Sequence, residues 1–141
     1  MSRFSLKERM SRSIALRKGE VLMRADFEGM GSPSQISRAF KALMAEGKIV
    51  RLGYGVYAKA RSSTLSGKPV PRVTLAELAQ EALQKLDVPA RLGRAQREYM
   101  EGRTTQIPVN TTFDTGCRRI SRKITVGIST VRYENNFTTR A

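Results

Sequence analysis

Between residues 32 and 59 the apolar positions change period, from the spacing of a helix to that of short strands. Ile36, Ala39, Phe40, Leu43 and Met44 recur as the stripe of a helix with one buried face, and Ser34, Arg38 and Lys41 fall on the opposite face. Ser32 is placed to cap the first turn, and Pro33 at the first helical position gives up an N–H that would have no partner there. Gly47 offers the left-handed residue that closes the helix. Directly afterwards Ile49, Val50 and Leu52 form one strand and Val56, Tyr57 and Ala58 another, with Gly53-Tyr54-Gly55 free to take positive φ between them.

Upstream, Ser5-Leu6-Lys7-Glu8 has the order of a capping box, and Leu6, Met10 and Ile14 continue a helical stripe that ends before Gly19. Val21 and Leu22 fit a short strand, while Arg24-Ala25-Asp26-Phe27 reads as a brief helix stopping near Gly29 to Gly31. The order helix, short strand or helix, helix, hairpin predicts a winged helix-turn-helix over residues 1–60. In such a domain Ser34, Gln35, Ser37, Arg38 and Lys41 are the DNA-reading candidates, because Arg pairs bidentately with guanine and Gln with adenine in the major groove. Arg51, Tyr54 and Lys59 lie on or near the wing, within reach of phosphates or a minor groove.

Residues 61–72, RSSTLSGKPVPR, break the pattern with two prolines, one glycine and four hydroxyl residues, and read as a linker. Beyond it, Thr74-Leu75-Ala76-Glu77 repeats the capping-box order, and Leu75, Leu78, Ala79, Ala82, Leu83 and Leu86 make a wide helical stripe. That stripe serves either the intrachain core or a homodimer interface. Residues 90–101 fit a short basic helix whose Arg91, Arg94 and Arg97 form a phosphate-facing ridge or a solvated face. Glu98 and Glu101 stand four residues from Arg94 and Arg97, as surface ion pairs do.

From Gln106 the period is two. Ile107, Val109, Thr111 and Phe113 predict a strand, with Pro108 placing it at a sheet edge and Asp114 to Gly116 turning the chain. The run from Arg119 to Val126 predicts another, followed by a hairpin at Gly127-Ile128 that sets Ile124 opposite Val131 and Lys123 opposite Arg132. Like charges opposed in this way suit an anion between them or simple exposure to solvent, so Arg119, Lys123 and Arg132 join the candidate phosphate or partner contacts. The expected architecture is α+β: a winged helix, a linker, and over residues 73–141 a helix packed on a small antiparallel sheet. The second domain would serve dimerisation, a partner or further nucleic-acid contact.

Composition narrows the function. Lys and Arg number 26 against 12 Asp and Glu, for a net charge of +14, the footprint of a polyanion binder. The excess is shared, at net +7 in residues 1–60 and net +7 in residues 61–141. With no histidine and a single cysteine, Cys117, ordinary zinc sites, Ser-His or Cys-His catalysis and an intrachain disulfide cannot be assembled. The reading is therefore of a non-enzymatic protein with neither metal nor cofactor. No apolar run approaches the roughly 18 to 20 residues of a membrane span, and the amino terminus has no apolar signal core, which points to the cytoplasm.

GEVLMRADF followed by GSPSQISRAFKALMAEGKIVRLGYGVYAK resembles the amino-terminal domain of AbiE-type abortive-infection antitoxins and related regulators of type IV toxin-antitoxin operons. The likeness is strongest from Gly19 to Lys59, in Arg24-Ala25-Asp26-Phe27, Gln35-Ile36-Ser37-Arg38-Ala39 and Arg51-Leu52-Gly53-Tyr54-Gly55-Val56-Tyr57. It implies a winged-helix protein that binds repeats in its own promoter as double-stranded DNA, represses the operon and counteracts a nucleotidyltransferase-like toxin. Two other readings share the charge and fold: an RNA-binding or ribosome-associated accessory protein, and an antitoxin acting mainly by protein-protein contact with its toxin.

Overall fold

The computed structural model describes residues 4–65, 67–106, 111–116, 119–120, 122–126 and 129–135. The chain is mixed α+β and divides into two compact units, Met1–Val73 and Thr74–Ala141.

In the first unit, helix α1 (Leu6–Leu16) starts where Ser5 Oγ accepts the Glu8 N–H at 3.2 Å. Strand β1 (Val21–Met23) runs into a 3₁₀ turn (Arg24–Phe27), where Asp26 Oδ2 accepts the Met23 N–H at 2.9 Å. Helix α2 (Pro33–Ala45) has the start its sequence dictates: Ser32 Oγ accepts the Gln35 N–H, and Gln35 Oε1 accepts the Ser32 N–H at 2.9 Å. Its end is equally specified. Gly47, at φ +74°, donates to Met44 O while Lys48 donates to Leu43 O, so two carbonyls left over by the helix are satisfied.

Strands β2 (Ile49–Gly53) and β3 (Val56–Ser62) pair antiparallel, with the register shifting between Arg51 and Gly53, and β1 lies on the other side of β3. Phe40 of α2 joins helix to sheet. Its ring stacks on Tyr57 at 4.2 Å and 6°, and meets the edge of Phe27 at 5.6 Å and 86°. Around this aromatic set Met10, Ile14, Leu22, Ile36, Leu43 and Ile49 complete one core. Lys7 Nζ reaches Glu46 Oε2 at 2.8 Å, tying α1 to the end of α2; this hydrogen bond holds the Glu46 carboxyl below its usual range and raises the Lys7 ammonium.

The segment 61–72, expected as a linker, belongs to this unit. β3 continues to Ser62, and β4 (Pro69–Pro71) returns antiparallel beside it, with Ala60 opposite Pro71 and Ser62 opposite Pro69. Proline lacks an amide donor, and β4 lies beyond β3 where a strand can leave amide positions unpaired. The same prolines that suggested a connector therefore mark a sheet margin.

In the second unit α3 (Leu75–Lys85) opens with the anticipated reciprocal box, Thr74 Oγ1 accepting the Glu77 N–H at 3.3 Å and Glu77 Oε2 the Thr74 N–H at 3.1 Å. Leu78, Ala79, Ala82 and Leu83 of its stripe are buried in the single chain, while Leu75 and Leu86 are half-buried. The helix expected over 90–101 is shorter. Arg91–Leu92 form strand β5, Gly93 caps, and α4 covers Arg94–Met100.

Strand β6 (Thr112–Asp114) pairs antiparallel with β5 and, on its other side, parallel with β9 (Arg132–Glu134). Antiparallel pairing thus describes only part of this sheet, and Asp114 sits in a strand where a turn was expected. Strands β7 (Thr125–Val126) and β8 (Ser129–Thr130) pair antiparallel, and Val131 N–H donates to Ile124 O, which sets the buried Ile124 and Val131 against each other as anticipated. Ile107, Pro108, Val109, Cys117, Gly127 and Ile128 lie outside the described residues. Among the described residues no helix is long and apolar enough to cross a membrane.

Candidate nucleic-acid interface

Helix α2 presents two unlike faces because its apolar stripe is consumed by the core. Ser34, Ser37, Arg38 and Lys41 remain exposed. Ser34, Arg38 and Lys41 follow at spacings of three and four and so share one ridge. Arg38 Nε lies 3.4 Å from Ser34 O, one turn back, which lays the guanidinium along that ridge.

The β2–β3 hairpin stands beside this helix. Gly55 takes φ +69° in its turn and leaves Tyr54 at the tip, 84% exposed. Arg51, also exposed, folds its Nε onto Gly53 O at 3.2 Å. Between helix and hairpin lies an open groove of about 380 Å³, with Phe40 and Tyr57 at its base and Ser37, Lys41, Met44, Arg51, Tyr54 and Arg24 around them. Arg24 is a groove residue that was not among the expected DNA contacts. Its backbone N–H donates to Gly55 O at 2.9 Å, and its guanidinium donates to Pro33 O at 2.7 Å, so one residue fixes the hairpin turn and the start of α2 together.

Two expected contacts are placed differently. Lys59 is buried, and its ammonium donates to Arg17 O at the end of α1, where a cation meets the carbonyls of a helix carboxy terminus. Lys59 closes the buried run Val56–Lys59 of β3, opposite Ile49 of β2 and away from the hairpin tip. Gln35 is exposed, but its amide oxygen is committed to the α2 cap, which leaves only its NH₂ to meet a base.

In the second unit Arg91, Arg94 and Arg97 do not form one helical ridge. Arg91 comes from β5, and its Nε and Nη2 both lie 3.2 Å from Asp114 Oδ2; Arg97 Nη2 lies 3.7 Å from the same oxygen. Asp114 is fully buried, and its other oxygen accepts the Gly116 N–H at 3.1 Å. Arg94 instead pairs with Glu98, at 3.0 Å, as its spacing indicated. Gly93 permits this packing, since a Cβ there would meet Thr112 Cβ at 2.9 Å and Thr112 O at 3.0 Å. Arg119, Lys123 and Arg132 are exposed. Arg132 lies opposite Thr112 in β9, and a Lys123–Arg132 pair is not part of the β7–β8 register.

An α+β chain with an exposed basic helix face beside a hairpin tip is the class of protein this geometry defines. The chain belongs to the DUF6088 family, a family of unknown function, whose pattern spans residues 9–139. No curated protein and no solved structure matches it.

Proposed function

We propose that the first unit is a winged helix-turn-helix that binds duplex DNA sequence-specifically, and that the protein regulates transcription, repressing its own operon. The observation that carries this reading is the groove in which Ser37 and Lys41 of α2 face Arg51 and Tyr54 of the hairpin. A helix that buries one side and shows Ser34, Arg38 and Lys41 on the other has the donors that base edges and phosphates require. The 3₁₀ turn supplies the short element before the recognition helix, and Arg24 locks the angle between that helix and the wing. The surplus of +14 charges adds the sequence-independent attraction that brings such a protein to DNA. A nucleotidyltransferase-like toxin as companion rests on the resemblance to AbiE-type antitoxins alone.

The test is a titration of the full chain against the DNA upstream of its own gene, a scrambled duplex of equal length, and a structured RNA. The reading expects the upstream fragment to bind at least about tenfold more tightly than the scrambled duplex. Equal affinity for both duplexes removes the sequence-specific regulator, and preference for RNA replaces it with an RNA-binding protein.

A further inference from the structure

The second unit holds a pocket of about 390 Å³ whose lining side chains are Arg91, Arg94, Arg97, Arg103, Glu98 and Glu101. Four guanidiniums stand against two carboxylates. Beneath them the buried Asp114 receives both Arg91 and Arg97 on a single oxygen, so one carboxylate serves two cations. Arg97 is held further by its Nε donating to Leu92 O at 2.8 Å. The inner pair is thus oriented in advance, which lowers the ordering cost of gripping an anion.

The outer pair is built differently. Arg94 and Arg103 are 75% and 69% exposed in their side chains and lean on Glu98 and Glu101, at 3.0 Å and 2.5 Å. Ion pairs this exposed contribute little and can be exchanged for a stronger anion. Phosphate is that anion for arginine, because its oxygens match the guanidinium fork in charge and geometry. Among the described residues no aromatic or aliphatic side chain lines the pocket, so it offers charge to a phosphate and no apolar platform to a base.

We infer that this pocket grips a backbone phosphate of nucleic acid, a contact separate from α2 and the hairpin and carrying no sequence information. The inference rests on the DNA-binding reading above. It assigns the second unit a share of affinity, with base discrimination left to the first.

The experiment measures the salt dependence of duplex binding by the full chain and by two opposed double variants. R94Q/R103Q removes the two exposed guanidiniums and leaves the Asp114 anchor intact. Its slope of log affinity against log salt should fall by about one, as for one lost phosphate contact, on upstream and scrambled duplexes alike. E98Q/E101Q removes the competing carboxylates and should tighten binding at low salt, a change that misfolding cannot imitate. E81Q, which removes one carboxylate from α3 outside the pocket against the two removed by E98Q/E101Q, should tighten it by much less than half as much. An unchanged slope in R94Q/R103Q, or tightening by E81Q that reaches half that of E98Q/E101Q, overturns the inference and leaves the DNA-binding reading standing. Absence of duplex binding by the wild-type chain overturns both. If inorganic pyrophosphate protects the wild-type chain against heat while R94Q/R103Q keeps the wild-type slope, the pocket serves free phosphates and the backbone assignment fails.

Discussion

Arg38, Arg51 and Lys59 carry the same charge within one small unit, and their surroundings give them different work. Arg38 lies along the α2 ridge with its Nε 3.4 Å from Ser34 O, and under the proposed function its donors turn toward a base edge. Arg38→Ala should cost about 1 to 3 kcal/mol on the cognate duplex and much less on a scrambled one, as read by parallel titrations at one salt concentration. Equal losses would move Arg38 to the phosphate backbone. Arg51→Ala should lower the salt slope by about one on every duplex while leaving the urea midpoint in place. Lys59→Met should do the reverse. Its ammonium is buried against Arg17 O, so the substitution leaves that carbonyl without its cationic donor and should cost about 1 to 3 kcal/mol in urea unfolding, with the salt slope unchanged.

The elements show which parts of the structure a sequence can reveal. Helix ends were legible because capping is local: Ser32 and Gln35, or Thr74 and Glu77, satisfy each other within four residues. The α2 stripe and the hairpin were legible for the same reason, since period and turn residues lie side by side in the chain. What could not be read is settled by residues far apart. The parallel pairing of β6 with β9 and the capture of Arg91 and Arg97 by Asp114 join segments between 17 and 23 residues apart. Nothing near Asp114 announces a buried carboxylate, and the Pro-rich segment 61–72 reads as a connector until β3 is found beside it. Because Asp114 is enclosed with two guanidiniums converging on it, Asp114→Asn should destabilise the second unit by about 3 kcal/mol, as followed by denaturant unfolding of the full chain. A loss within experimental error would show the network to be dispensable.

Strand β9 adds a prediction about pH. Burial pushes the Tyr133 phenol above its usual value of 10.0, partly offset by the Arg122 charge, and its hydroxyl donates to Arg122 O at 2.8 Å. A raised pKa in the folded state means that the neutral phenol is favoured there. Its contribution is therefore fully present below pH 10 and is lost as pH rises through the folded value. Urea midpoints measured from neutral pH into the alkaline range should fall more steeply for the wild-type chain than for Tyr133→Phe. Parallel curves would show that the phenol has no part in the alkaline loss.

At the scale of the molecule, basic charge is spread over both units, yet the structure organises it in two ways. In the first unit Arg24, Lys41 and Arg51 line a groove between a helix and a hairpin, beside the exposed ridge of Ser34, Arg38 and Lys41. In the second, Arg91, Arg94, Arg97 and Arg103 line a charged pocket, and two of them converge on one buried acid. The net charge pointed to a polyanion; under the proposed function the first arrangement reads bases and the second grips a phosphate. The central claim is that the α2 ridge and the hairpin tip meet duplex DNA. Amide chemical shifts of the isotope-labelled full chain, followed as upstream duplex is added, test it most directly. The account predicts that the largest changes fall on Ser34, Ser37, Arg38, Lys41, Arg51, Tyr54 and Gly55, while the interior of α1 moves little. Changes confined to the second unit, with α2 and the hairpin silent, would contradict it.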